Sequence, residues 1–170
     1  MKKLLIFIII FLFIPNSVFA NSYVLPYPSS MPGNIFYKFN LARESVLRLW
    51  YFGNFGQFEY NLKESDKYLV EAKTLFEYDQ FLLAYKALQK SDEYFVKTLP
   101  FLISAQKEGK NINQNRELLK EASLKHTQVL SKLVKDTPSS FVWIPEKEKS
   151  TTLNIKNKLE DSILIRAKYL

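Results

Sequence analysis

Phe55-Gly-Gln-Phe58-Glu-Tyr-Asn-Leu62-Lys-Glu-Ser65-Asp-Lys-Tyr-Leu69-Val-Glu-Ala72-Lys-Thr-Leu-Phe76 decides the fold. The numbered residues recur at alternating intervals of three and four, which puts them on one face of an α-helix. Glu59 with Lys63, and Lys67 with Glu71, stand opposite as i,i+4 charge pairs, each worth a few tenths of a kcal/mol. A break at about Glu77 to Gln80 leads to a second stripe of Phe81, Ala84, Leu88, Ser91, Phe95, Leu102 and Ala105. Short connections between long helices make antiparallel neighbours. The expected fold is therefore all-α, a helical bundle built on a long antiparallel hairpin.

Downstream, Pro100 removes a backbone donor and predicts a kink in the second arm, with Gly109 as its stop. Asn113 is the expected cap of a further helix with Leu119, Ala122, His126, Val129 and Leu133 on one face. Residues 138–151 read as a linker whose apolar patch, Phe141-Val-Trp143-Ile144, should pack back on the bundle. A C-terminal helix over 152–170 aligns Ile155, Leu159, Ile163 and Arg166. No stretch reads as a strand.

Upstream, residues 34–137 form the helical domain, with helices near 35–52, 55–77, 80–108 and 113–136. The first keeps helical spacing through Ile35, Phe36, Phe39, Ala42, Val46, Leu49 and Trp50; Asn34 caps it and Gly53 stops it. Residues 21–33 hold Pro26, Pro28 and Pro32 and are expected to be an extended strap. Leu25, Tyr27 and Met31 should pack over the hairpin.

Residues 1–20 carry the three zones of a secretory signal peptide: Lys2 and Lys3, eleven apolar residues from Leu4 to Ile14, then Val18-Phe19-Ala20 as the cleavage site. The apolar run is about half of what a membrane span needs. Export is the expected destination, periplasmic, cell-surface or secreted. Cleavage leaves 150 residues, enough for one domain. The chain has no cysteine, so neither a disulfide framework nor a cysteine-linked lipid anchor is available. The cleaved form holds 22 basic and 17 acidic side chains, a balance of +5. That mild excess suits an anionic envelope polymer or peripheral contact with a membrane. No module that reads nucleic acid is visible.

Chemistry is sparse. One histidine and no cysteine leave no metal-ligand set, and no Asp-rich calcium loop occurs. His126, on an apolar helical face, reads as a packed histidine. No nucleophile elbow or phosphate-cradling loop is present. No catalytic residue, metal site or cofactor is therefore expected. The cleaved form still holds ten Phe, ten Tyr and two Trp. Tyr60, Tyr68, Tyr85 and Tyr94 flank the stripes, where a buried ring keeps its hydroxyl near water. An extended Tyr-Pro strip also suits a partner's aromatic groove. Pro26, Tyr27, Pro28, Pro32, Gly33 and Tyr37 are thus the candidate docking residues.

The order Leu25-Pro26-Tyr27-Pro28, Met31-Pro32-Gly33-Asn34, Tyr37-Lys38 resembles the opening of an uncharacterised family of exported bacterial proteins. The likeness continues through Phe55-Gly56, Leu62 to Ala72, Ala84 to Leu88 with Lys90-Ser91, and Ala122 to His126. Family members commonly have Asp where Asn34 stands, and either residue caps a helix. The resemblance implies an extracytoplasmic helical domain and brings no catalytic residues. The hairpin is also similar to one tetratricopeptide-type unit, but no second copy follows at a fixed period.

Together these features point to a non-enzymatic structural or protein-interaction domain of the bacterial cell envelope. A binding module for an anionic envelope polymer or membrane surface is the alternative. A hydrolytic enzyme with a site scattered through the chain comes third.

Overall fold

A computed structural model of the chain describes residues 23–28, 31–32, 35–147 and 149–170. The signal peptide expected over 1–20, and the Gly33-Asn34 pair expected to lead into the first helix, lie outside the described residues. The fold is all-α. Its helices are α1 (Ile35–Leu47), extended by a 3-10 turn at Arg48–Trp50, α2 (Gly53–Glu77), α3 (Phe81–Lys107), α4 (Asn113–Asp136) and α5 (Ile155–Ala167).

The hairpin of α2 and α3 is the spine. Every stripe residue of α2 from Phe58 to Phe76 is buried, as are Ala84, Leu88, Ser91, Phe95, Leu102 and Ala105 of α3. The turn closes through Asp79, whose φ of 56° lets Gln80 N–H donate to the Leu75 carbonyl at 2.9 Å. Asp is among the few non-glycine residues that tolerate this left-handed conformation. Gly109 ends α3 in the same way, with φ 79° and Lys110 N–H donating to the Ala105 carbonyl at 3.1 Å.

Several local expectations are corrected. Asn113 does not cap α4; the side chain of Asn111 accepts from the Asn113 N–H at 3.0 Å. Gly53 opens α2, and the first helix already ends at Leu47. Lys67 pairs with Glu44 and Glu64, because Glu71 is buried and turned toward Tyr37.

The apolar patch in the linker forms a short antiparallel ribbon that the sequence reading missed, β1 (Phe141–Trp143) with β2 (Thr151–Leu153). Three-residue strands are too short to show a period of two. Phe141 meets Phe81 at 5.1 Å between ring centroids, so the ribbon packs on the start of α3, whereas Val142 and Ile144 of the patch expected to pack stay exposed. α5 therefore begins at Ile155, where the Asn154 side chain accepts from Asn157 N–H at 3.3 Å.

The core is split by a polar layer. One apolar cluster joins Leu69, Leu75, Phe76, Leu88, Leu130, Ile155 and Leu159, and another joins Phe58, Leu62, Phe95, Leu102, Leu119 and Ala122. Between them each long helix supplies polar residues at one level: Ser65 and Asp66, Ser91 and Asp92, Ser123 and His126, Ser162 and Arg166. Ser65 and Ser91 donate to each other's backbone carbonyls, at 2.9 and 2.8 Å. Two such reciprocal bonds need close helix backbones, which only small side chains allow.

Candidate functional site

Among the described residues two places gather polar chemistry: the buried layer, and the surface where the strap and α1 meet α2.

In the layer, Arg166 is fully buried and donates from one guanidinium nitrogen to Asp92 and from another to the Ser91 hydroxyl at 2.9 Å. Its Nε donates to His126 Nδ1 at 3.1 Å. A guanidinium has no acceptor, so Nδ1 must be the unprotonated nitrogen. His126 Nε2–H therefore donates to Asp66 Oδ1, at 2.6 Å. Tyr23 of the strap donates to the other Asp66 oxygen at 2.5 Å, and Lys158 and Ser162 complete the shell of Asp92 at 2.6 and 2.7 Å.

Burial holds the His126 pKa below the usual histidine value, the Asp66 hydrogen bond opposes this, and the Arg166 charge adds to it. Burial likewise lowers Arg166, against the pull of Asp92, and raises the Tyr23 phenol. Both imidazole nitrogens are occupied, so His126 has no lone pair for proton transfer to a ligand. The layer ties four helices and the strap together. Asp66, Asp92 and Arg166 were missed as a group in the sequence, although Ser65, Ser91, His126 and Arg166 stood out there as polar residues on apolar stripes.

At the surface, α1 runs antiparallel along α2. Tyr37 donates to Glu71 at 3.1 Å, Glu44 meets Lys67 at 2.5 Å, and the Tyr51 and Tyr60 rings lie 5.5 Å apart. Tyr60 continues edge-on to Tyr94, which stacks on Tyr68 at 5.7 Å. Lys67 sits 4.3 Å over the Tyr68 ring and Lys97 5.2 Å over Tyr94, a favourable charge-to-ring arrangement. Burial raises the phenol pKa of Tyr60 and of Tyr68, and the carboxyl pKa of Glu64 and of Glu71.

The strap, α1 and α2 enclose a groove of about 150 Å³ lined by Pro26, Tyr27, Arg43, Glu44, Tyr60 and Lys63, among others. A second groove at the end of α1 is lined by Arg48, Tyr60, Tyr94 and Lys97. Of the candidate docking residues, Pro26 and Tyr27 line the first groove. Pro28 is exposed and Pro32 half-buried, whereas Tyr37 is the tie that holds α1. Gly33 lies outside the described residues. Leu25 and Met31 pack on the core as expected. Tyr27 does not; it is 96% exposed.

The larger departure is α1 itself. The apolar stripe that helical spacing offers as a core face points outward: Ile35, Phe39, Val46, Leu49 and Trp50 are 57–83% exposed. The side turned to α2 carries Tyr37 and Glu44. Among the described residues no group of three or more His, Asp or Glu is placed to hold a metal ion. None of the described helices is long and apolar enough to cross a membrane. No protein-family model, curated protein or solved structure matches the chain.

Proposed function

We propose that this protein is a non-enzymatic docking module of the cell envelope, exported with cleavage near Ala20. Its rigid helical body presents α1 and the strap to a partner. The observation that carries the reading is the packing of α1, with Tyr37 and Glu44 toward the body and Ile35, Phe39, Val46, Leu49 and Trp50 toward solvent. Exposed aromatic side chains of this size contribute about 150–250 Å² each when covered. With Phe39 and Trp50 at 69% and 73% exposure, flanked by Ile35, Val46 and Leu49, the strip approaches the largest apolar patches of free monomers. Folding does not explain such a strip; an occupant does. The Pro-Tyr opening and its resemblance to exported helical proteins support the envelope setting.

The test is site-specific photo-crosslinking in cells, with the reactive side chain at position 39 or 50 and, as control, at exposed Glu117 on α4. Adducts to lipid, protein or a second copy at 39 and 50, absent at 117, are expected. Equal labelling at all three positions, or none at 39 and 50, would remove the proposal.

A further inference from the structure

We infer that the occupant of the outward face of α1 is the surface of an anionic lipid bilayer, an inference that rests on the docking reading of that face. The chemistry of the strip comes first. The side chains of Ile35, Phe39, Val46, Leu49 and Trp50 carry between them a single polar hydrogen, the indole N–H of Trp50. Protein interfaces use about one hydrogen bond per 100–200 Å², and a strip on the order of 500 Å² with one donor is poor in them, its other donors being the cations at its edge. A hydrocarbon boundary asks for none, and an indole is well placed at headgroup level.

Charge points the same way. Arg43 and Arg48 on this helix are exposed, as are Lys63 and Lys97 in the two grooves beside it. The carboxylates of those grooves, Glu44 and Glu64, both face Lys67, at 2.5 and 3.7 Å. Cations are therefore left over around an apolar strip, which complements anionic headgroups.

Geometry completes the case. α1 has 13 residues, about 20 Å of helix, too short to span a bilayer and long enough to lie in its surface. Tyr37–Glu71 and Glu44–Lys67 hold it flat along α2, so the strip meets a plane without unfolding anything.

Vesicle co-sedimentation tests this, using phosphatidylglycerol and phosphatidylcholine vesicles at low ionic strength. The purified protein is expected to bind phosphatidylglycerol and to lose that binding as salt rises. Phe39→Asp with Trp50→Asp should weaken binding at least about a hundredfold. Arg43→Glu with Lys63→Glu should weaken it and reduce its salt dependence. All four positions are exposed, and unchanged circular dichroism would show that the fold is kept. As a readout that leaves α1 intact, Trp50 emission in a Trp143→Phe protein should shift to the blue on phosphatidylglycerol.

No binding to phosphatidylglycerol, or wild-type binding by the Phe39→Asp/Trp50→Asp variant, would overturn the lipid assignment. An unshifted Trp50 emission would do the same. If crosslinks from position 39 then reach a protein or a second copy, the docking reading survives the loss. If they reach nothing, both fall.

Discussion

α1 and α2 lie side by side and use their faces in opposite senses. α2 turns Phe58, Leu62, Leu69 and Phe76 into the bundle, and even its polar residues Ser65 and Asp66 are buried among partners. α1 turns Tyr37 and Glu44 to α2 and, with the turn that extends it, leaves Ile35, Phe39, Val46, Leu49 and Trp50 in water. Burial stabilises a fold in proportion to the apolar area removed from water. The body of α2 to α5 therefore supplies the stability, and α1 contributes little of it. Its apolar strip is available for something outside the chain.

The contrast can be broken most forcefully in the buried layer. Arg166→Ala should cost about 2–5 kcal/mol, because it leaves Asp92 Oδ1 and His126 Nδ1 without partners away from water, although Lys158 still holds the other Asp92 oxygen. Chemical denaturation would measure it, and a loss under about 1 kcal/mol would mean the layer is hydrated. Leu88→Ala, at a fully buried position of α3, should cost about 2–5 kcal/mol through lost contacts and a cavity.

Next comes the junction of the two regions. A Cβ on Gly56 would sit 2.8 Å from the Tyr51 carbonyl carbon, against backbone rather than a yielding side chain. Gly56→Ala should therefore cost about 1–3 kcal/mol, and a thermal melt unchanged from wild type would show that the 51–56 turn gives way freely.

A smaller effect is expected with pH. Folding lowers the His126 pKa, so the unfolded chain binds the proton more readily. Stability linked to this group is complete above the unfolded value of about 6.5 and declines as pH falls through the folded value. Glu64 and Glu71 have raised pKa values and act in the other direction. They favour the folded state as they protonate in acid and weaken it once ionised. Glu64→Gln should thus raise Tm near neutrality, with the gain fading in acid where Glu64 is already neutral. A gain independent of pH would reject the burial account. The smallest change belongs to the arm. Leu49→Ala, at 72% exposure, should alter stability by less than about 0.5 kcal/mol, against the large loss from the same substitution at Leu88. A comparable loss would mean that α1 folds onto the body through its apolar face.

The hairpin was legible because its stripes are long and regular: seven residues at intervals of three and four leave no other periodicity to read. The ribbon at 141–143 and 151–153 was not, since three residues are shorter than any repeat. The groove beside the candidate docking residues was not legible. Pro26 and Tyr27 reach the groove, but it is closed by Arg43, Tyr60 and Lys63 from other elements, and nothing local in the sequence joins them. Asp66, His126, Asp92 and Arg166 lie up to 100 residues apart in the chain and are brought together only by the register of four packed helices.

Periodicity by itself determined that this chain makes an antiparallel helical hairpin, because one residue per turn on one face is a property of the single helix. It did not determine which side of α1 meets the body. An amphipathic helix has two faces, and spacing identifies them without saying which one finds a neighbour. That choice belongs to tertiary structure: Glu71 and Lys67 on α2 offered partners to Tyr37 and Glu44, and the apolar strip was left exposed.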